Sequence, residues 1–118
     1  IAVLARTKST LEALERPLRE RGVPFQSMAD RRPHEFDWQT PSIKLLTLHS
    51  CKGLEFPHVY IAGLQSVRMM NDTEEDAKRL LYVGMTRATK DLVMSSHGNN
   101  ATVARVKAAI SAVRQALA

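Results

Sequence analysis

Short apolar runs alternate with amphipathic helical patterns along this chain, and that alternation constrains its fold more than any other feature. The strand-like runs are Ile1 to Ala5, Val23 to Met28, Ile43 to His49, Val59 to Leu64 and Leu92 to Ser96. Helical patterns follow the first, fourth and fifth runs. Strands that alternate with helices pack as a mostly parallel sheet with helices on both faces. The sequence therefore predicts one α/β domain of three layers over residues 1–118.

Polar residues mark the start of each predicted helix, because their side chains satisfy the free N–H groups of the first turn. The candidate caps are Thr7 or Ser9, Asp72 or Thr73 with a capping-box partner at Glu75 or Asp76, and Asn99 or Asn100. Pro17 predicts a kink in the first helix. The apolar stripe of the second helix is expected to reach Ala88. The stripe of the last helix, predicted to face the core, is Val103, Val106, Ile110, Val113 and Leu117.

Composition narrows the class of protein without choosing a function. The formal net charge of +5 favours an anionic partner, although many domains carry such an excess without binding nucleic acid. Cys51 is the only cysteine, so no internal disulfide forms and we expect a reducing, cytoplasmic location. No apolar run approaches membrane-spanning length, so no membrane contact is expected. The chain begins with Ile1, and we take it as a piece of a longer protein.

The stretch TLHSCKGLEF, residues 47–56, places polar side chains after a predicted buried strand. Thr47 and His49 alternate along the strand, so they are expected to share a face and to suit phosphate or sugar oxygens. Lys52 offers a mobile charge, Gly53 allows close backbone approach, and Glu55 is an acceptor for a ribose hydroxyl or a cation. We expect all of them at the carboxyl edge of the sheet, where parallel sheets bind ligands. The alternative is an ordinary strand end with a surface lysine and a satisfied histidine.

Arg87 follows the apolar positions of the second helix. Its guanidinium either stabilises charge on a phosphate or is favoured there by the helix dipole. The sequence has no GxxxxGK[ST] phosphate loop, and no acidic pair follows a predicted strand where it could hold Mg²⁺. Tight binding of a nucleoside triphosphate by this chain alone is therefore not expected. The histidines lack metal-ligand spacing, and no metal site is predicted. Trp38, in a polar loop, either stacks on a base or anchors that loop.

Three long stretches resemble one family, in the right order and over nearly the whole chain up to Ser96. TLHSCKGLEFPHVYIAGL resembles motif V of UvrD/Rep/PcrA-type superfamily 1 DNA helicases. EEDAKRLLYVGMTRATKDLVMSS resembles motif VI and the strand after it, and IAVLARTKSTLEALERPLRERGVPF resembles motif IVa. The resemblance implies a RecA-like fold and the C-terminal motor domain, called 2A, of an ATP-dependent DNA helicase that unwinds DNA, as in DNA repair.

The resemblance also implies roles for single residues. The positions that would bind DNA are Arg6, Lys8 (where the family more often has Asn), Thr47, His49 and Lys52. The positions that would bind ATP are Gly53, Glu55 (on the ribose), Arg79 (supporting motif VI) and Arg87 (the arginine finger, which is catalytic). The implied cofactor is ATP with Mg²⁺, whose ligands are expected on an absent first motor domain. The implied partners are single-stranded DNA and that N-terminal RecA-like domain, without which the fragment is expected to be inactive.

The chain departs from the family in the segment before motif V, in the short link from Gln65 to Thr73 and in its last basic helix. Residues 26–42 form a short loop where larger members carry a 2B insertion. Two other functions stay open. One is a non-catalytic module that binds nucleic acid or protein and retains the motor fold, and the other is the motor half of a helicase–nuclease.

Overall fold

β1 (Ala2–Ala5) lies at the centre of a parallel sheet whose strands follow the order β2-β3-β1-β4-β5. The computed structural model describes residues 1–30, 32–69, 71–98 and 100–117. The other strands are β2 (Phe25–Ser27), β3 (Ile43–Thr47), β4 (Phe56–Ile61) and β5 (Ala88–Met94). The helices are α1 (Lys8–Glu20), α2 (Glu74–Met85) and α3 (Ala101–Leu117). The predicted α/β architecture with a parallel sheet is confirmed.

β4 is offset along the strand direction relative to β1 and β3. Ala2 lies beside Lys44 of β3 and Val59 of β4, so β4 begins three residues before β1 does. Three strand residues extend about 10 Å, and the first residue of β4, Phe56, projects that far past the start of β1. Pro57 is tolerated in β4 because the ladder to β5 is irregular between Phe56 and His58.

The two faces of the sheet carry separate apolar clusters. α1 packs over β1, β2 and β3 through Leu11, which meets Ala5 and Leu45. α2 packs on the opposite face over Leu48 and Ile61. A Cβ built on Gly84 would clash with Leu48 Cδ2 and would lie 3.4 Å from Ile61 Cδ1. Glycine at this position therefore lets α2 lie directly on the strands.

The helix starts follow the predicted caps. Thr7 Oγ1 accepts a hydrogen bond from the Thr10 N–H at 3.3 Å, and α1 then continues through Pro17. Thr73 and Asp76 form a reciprocal capping box at the start of α2. Asn100 Oδ1 accepts from the Val103 N–H at 3.0 Å, whereas Asn99 lies outside the described residues.

Several predicted boundaries are wrong. The strand predicted at Val23 to Met28 covers only Phe25–Ser27, and the strand predicted at Leu92 to Ser96 covers Ala88–Met94. β3 ends at Thr47, where a 3₁₀ turn over Leu48–Ser50 begins, and not at His49. β4 covers Phe56–Ile61 rather than Val59 to Leu64. Ala88 opens β5 instead of closing α2. At the ends of β3 and β4 a buried apolar run continues past the strand, through Leu48 and through Ala62 to Leu64, so hydrophobicity alone does not mark the change.

The stripe predicted for α3 is wrong beyond its first turns. Val103 is fully buried, but Ile110, Val113 and Leu117 are 39%, 57% and 82% exposed. α2 already covers that face of the sheet, so α3 docks only its amino-terminal part, against α2 and the 3₁₀ turn Leu64–Ser66. No helix within the described ranges is long and apolar enough to cross a bilayer.

The segment between β2 and β3 is held down by an aromatic group. The Trp38 ring centroid lies 5.5 Å from that of Phe36 and 6.1 Å from that of Phe56. Its Nε1 donates to the carbonyl oxygen of Pro33 at 3.2 Å. The interpretation of Trp38 as a loop anchor is confirmed.

Candidate nucleic-acid and nucleotide site

The predicted site residues lie at two opposite edges of the sheet. Thr47 ends β3 beside Ala5, whereas Phe56 begins β4 three residues before the partner of Ala2. Six strand residues separate these levels, which is about 20 Å along the strand direction. The expectation that TLHSCKGLEF gathers at the carboxyl edge is therefore wrong. Its first residues lie at the carboxyl edge of the sheet and its last residues at the amino edge.

A buried crossing segment joins the two edges. Leu48 and Cys51 are fully buried on the α2 face, and Cys51 Sγ donates to the Leu48 carbonyl oxygen at 3.1 Å. A turn follows, in which the Leu54 N–H donates to the Cys51 carbonyl oxygen at 3.1 Å. Gly53 has a φ of +83° in that turn, a conformation that favours glycine. The chain thus returns across the sheet without an intervening α-helix.

Arg6 and Asp72 form an ion pair at the carboxyl edge. Arg6 Nη2 lies 3.4 Å from Asp72 Oδ2, and the two side chains are 17% and 22% exposed. Asp72 Oδ2 also accepts the Met69 N–H at 2.9 Å. Arg6 Nε is buried and finds no hydrogen-bond acceptor among the described residues. A buried donor without a partner costs about 1–3 kcal/mol, so this guanidinium has unused binding capacity.

Asp72 is ionised at neutral pH. The hydrogen bond from the Met69 N–H, followed by the bond and charge of Arg6 and the charge of His49, holds the pKa of the Asp72 carboxyl below its usual value, against the opposing effect of burial. Sequence reasoning considered Asp72 only as a helix cap. Nothing in the sequence marks it as the partner of Arg6, which lies 66 positions away.

The other predicted DNA-binding residues at this edge differ in exposure. Thr47 is buried, and its hydroxyl donates to Ser50 Oγ at 3.1 Å. His49 and Lys8 are exposed, the latter in the first turn of α1. The shared face expected for Thr47 and His49 is wrong, because strand alternation ends at Thr47 and the 3₁₀ turn gives the next three residues a different rotation.

Arg87 lies at the amino edge, in the turn between α2 and β5. Its Nε donates to the Val83 carbonyl oxygen at 3.0 Å, its Nη1 to the Leu54 carbonyl oxygen at 3.3 Å, and its Nη2 reaches Thr86 Oγ1 at 3.3 Å. The first contact satisfies a carbonyl in the last turn of α2. Arg87 therefore has the structural role that the sequence left as one alternative, and it also holds the turn that leads to Glu55.

The remaining residues predicted to bind nucleotide are exposed. Glu55 and Gly53 are exposed on either side of Leu54, and Lys52 is exposed in the same turn. Arg79 is exposed on α2, two turns before Arg87. An accessible carboxylate next to a guanidinium fits the hydroxyl and phosphate groups of a nucleotide. No three metal-ligating side chains converge among the described residues.

α2 connects the two edges. Its N-cap, Thr73, follows Asp72 directly, and Arg87 lies two residues beyond its last residue, Met85. Twelve helical residues span about 18 Å, which matches the separation of the edges. Asp72, which pairs with Arg6, and Arg87 thus lie at opposite ends of one helix.

Comparison with known proteins assigns this arrangement to a family. The family model described as the UvrD-like helicase C-terminal domain matches residues 26–99, more than half of the chain. The chain belongs to the UvrD-like helicase C-terminal domain family.

Its relatives include three curated helicases. The chain is 39% identical over 67 residues to the ATP-dependent DNA helicase Rep of Salmonella typhimurium, covering 52% of this chain and 10% of that protein. It is 44% identical over 62 residues to the ATP-dependent DNA helicase PcrA of Bacillus subtilis, covering 47% and 8%. It is 40% identical over 65 residues to DNA helicase II of Escherichia coli, covering 49% and 9%. The chain thus spans about a tenth of the length of these relatives.

A solved structure supports the fold of this UvrD-like domain. The C-terminal domain of a possible DNA helicase from Lactobacillus superposes with a TM-score of 0.65 at 24% identity. The match covers 86% of this chain and 61% of that one. It therefore extends beyond the residues that the family model matches.

Proposed function

We propose that this UvrD-like domain is the second motor domain of an ATP-dependent DNA helicase or translocase. It would supply part of the single-stranded DNA track at its carboxyl edge and an arginine finger at its amino edge. The observation that carries the proposal is the division of the site residues between two edges joined by α2. One edge is then available to DNA while the other faces a nucleotide.

At the amino edge, Glu55 would accept hydrogen bonds from the ribose hydroxyls, and Gly53 would let the backbone approach the nucleotide. Arg87 would contact the γ-phosphate through Nη1 and Nη2, whose 3.3 Å contacts with Leu54 and Thr86 are longer than the 3.0 Å bond that holds Nε to α2. Arg79, on the same helix, would support motif VI. ATP with Mg²⁺ would supply the free energy of each step, with the Mg²⁺ ligands on the N-terminal RecA-like domain of the same protein.

At the carboxyl edge, His49 and Lys8 are exposed and would contact the DNA backbone. Arg6 would add a guanidinium whose Nε has no acceptor in the described part of the chain. Thr47 is buried and bonded to Ser50, so it would position the His49 turn or donate only after that bond opens. Lys52 lies beyond the crossing segment at the amino edge, and its part in DNA binding would depend on strand contacts there.

The loop at residues 26–42 fits a domain without a 2B insertion, since Trp38 fastens it to the sheet. A single α/β domain over residues 1–118 remains our proposal for the organisation of the chain.

The test is hydrolysis of ATP by the full-length parent protein carrying Arg87→Ala. An arginine finger contributes about a thousandfold or more to turnover, so DNA-stimulated kcat should fall by about that factor. Arg16→Ala is the matched control, because Arg16 is an exposed arginine of α1 that pairs with Glu20 in its own helix.

Survival of DNA-stimulated turnover within a few-fold in Arg87→Ala contradicts the finger role. A parent that binds single-stranded DNA without hydrolysing ATP favours the non-catalytic module. The helicase–nuclease alternative requires divalent-metal-dependent cleavage of DNA by the same parent.

A further inference from the structure

The ion pair with Asp72 leaves part of the hydrogen-bonding capacity of Arg6 unused. Its single contact, Nη2 to Oδ2, is 3.4 Å long, whereas charge-assisted N–H···O bonds are typically about 2.7–2.9 Å. Arg6 Nε, on the same planar guanidinium, is buried and has no acceptor among the residues described. Arg6 therefore contacts one carboxylate oxygen, although a guanidinium can donate to two oxygens at once.

From the side of Asp72, the carboxylate is anchored within its own loop. Oδ2 accepts the Met69 N–H at 2.9 Å, the shorter of its two contacts. The backbone is held as well, since Arg68 Nε donates to the Asp72 carbonyl oxygen at 3.2 Å. Asp72 therefore keeps its principal hydrogen bond when Arg6 leaves, and Arg6 is the exchangeable partner.

We propose that the Asp72 carboxylate occupies, in the absence of nucleic acid, the position of a DNA phosphate on Arg6. It is thus a competitor built into the domain. This inference rests on the proposed function, because it takes the displacing anion to be a backbone phosphate of single-stranded DNA at the carboxyl edge. A phosphate carries several acceptor oxygens and engages Nε and Nη2 together, which the carboxylate does not do here.

Asp72 lies immediately before the N-cap of α2, so its release from Arg6 would affect the start of that helix. Thr73, the next residue, caps α2, and Arg87 follows the other end of that helix. A phosphate that displaces the carboxylate also changes the contacts at the start of α2. DNA occupancy is thereby linked to the helix that leads to the nucleotide edge.

The test is a titration of the chain with a fluorescent oligodeoxythymidylate, read by anisotropy at low salt. Asp72→Asn should bind about threefold to tenfold more tightly than the wild-type chain, the size expected when one competing charge is removed. Glu75→Gln removes the same charge from an exposed residue of α2 that pairs with Lys78 and not with Arg6. This control should stay within about twofold of wild type.

A double-mutant cycle assigns the gain to Arg6. In an Arg6→Ala background, Asp72→Asn should no longer tighten binding beyond the Glu75→Gln control. The proposal is overturned if Asp72→Asn binds no more tightly than that control, or if its gain persists without Arg6.

Titration with inorganic pyrophosphate tests the competition for Arg6 without requiring that the chain bind DNA. Its binding is followed by the NMR resonance of the Arg6 Nε–H, which should shift at lower pyrophosphate concentration in Asp72→Asn than in wild type. If the chain binds no DNA but shows this difference, the proposed DNA track fails and the competition stands. If the two titrations coincide, the competition is wrong whatever the DNA result.

Discussion

Arg87 donates a hydrogen bond from Nη1 to the carbonyl oxygen of Leu54, 3.3 Å away and 33 positions earlier in the chain. The bond joins the turn after α2 to the turn that carries Gly53 and Glu55. A second bond reinforces it, since the Phe56 N–H donates to the Arg87 carbonyl oxygen at 2.9 Å. Two long motifs therefore meet at one edge of the sheet, and we expect a substitution at Arg87 to disturb both turns.

Arg87→Ala should destabilise the domain itself by about 1–3 kcal/mol, because two carbonyl oxygens, those of Val83 and Leu54, lose a charged donor. Urea denaturation of the chain, followed by circular dichroism, measures the change. Arg79→Ala is the control, since Arg79 is exposed on α2 and should change the unfolding free energy by less than about 0.5 kcal/mol. Equal effects of the two substitutions would show that the Arg87 contacts do not stabilise the fold.

Gly84→Ala should destabilise the domain by about 1–2 kcal/mol even though alanine favours a helix, because the new Cβ would clash with Leu48 Cδ2 in a filled core. The reason is checked by repeating the substitution in a Leu48→Ala background, where the obstructing atom is absent. There, Gly84→Ala should be neutral or stabilising by thermal denaturation. A loss of the same size in both backgrounds would show that the contact with Leu48 is not the cause.

Cys51 should react slowly with thiol reagents in the native chain. Burial raises the pKa of its thiol, against the opposing charge of Arg87, and the side chain is fully buried. At pH 8, modification of the native chain by a disulfide reagent should be at least about tenfold slower than in concentrated urea. Comparable rates in the two conditions would mean that the crossing segment opens readily.

The stability contributed by Asp72 should depend on pH. Its pKa is lowered in the folded domain, first by the Met69 N–H and then by Arg6. A carboxyl whose pKa is lower in the folded state than in the unfolded state stabilises the fold at pH values above its unfolded pKa. That stabilisation is lost as the pH falls through the folded pKa. Asp72→Asn should therefore unfold at lower urea than wild type at pH 7, and the difference should shrink below about pH 3. A difference that stays constant over this range would exclude the ionised carboxylate as its source.

Local patterns predicted the parts of the fold that local chemistry controls. The caps at Thr7 and Thr73 are visible in sequence because a cap contacts residues only three positions away. The parallel sheet is predictable because strands that alternate with helices pack in few ways. The grouping of Arg87 with the turn at Leu54 came from the resemblance and not from periodicity.

Features that depend on how distant parts of the chain come together in the fold were not predictable. TLHSCKGLEF gives no local sign that it reverses after Ser50 and crosses to the other edge of the sheet. The apolar period of α3 shows that it has an apolar face but not how much of that face finds a partner, so the exposure of Leu117 was missed. The pairing of Arg6 with Asp72 joins two ordinary surface residue types, and only the fold brings them together.

The proposed function divides the domain between one edge that binds DNA and an opposite edge that binds nucleotide. The most direct test is steady-state ATP hydrolysis by the full-length parent protein, titrated separately with single-stranded DNA and with ATP, for the wild type, His49→Ala and Glu55→Ala. His49→Ala should raise the DNA concentration that gives half-maximal stimulation and leave the KM for ATP unchanged. Glu55→Ala should raise the KM for ATP and leave the DNA requirement unchanged. With the other ligand saturating in each titration, a comparable shift of both parameters by either substitution, or no DNA stimulation of the wild type, would contradict this division of the site.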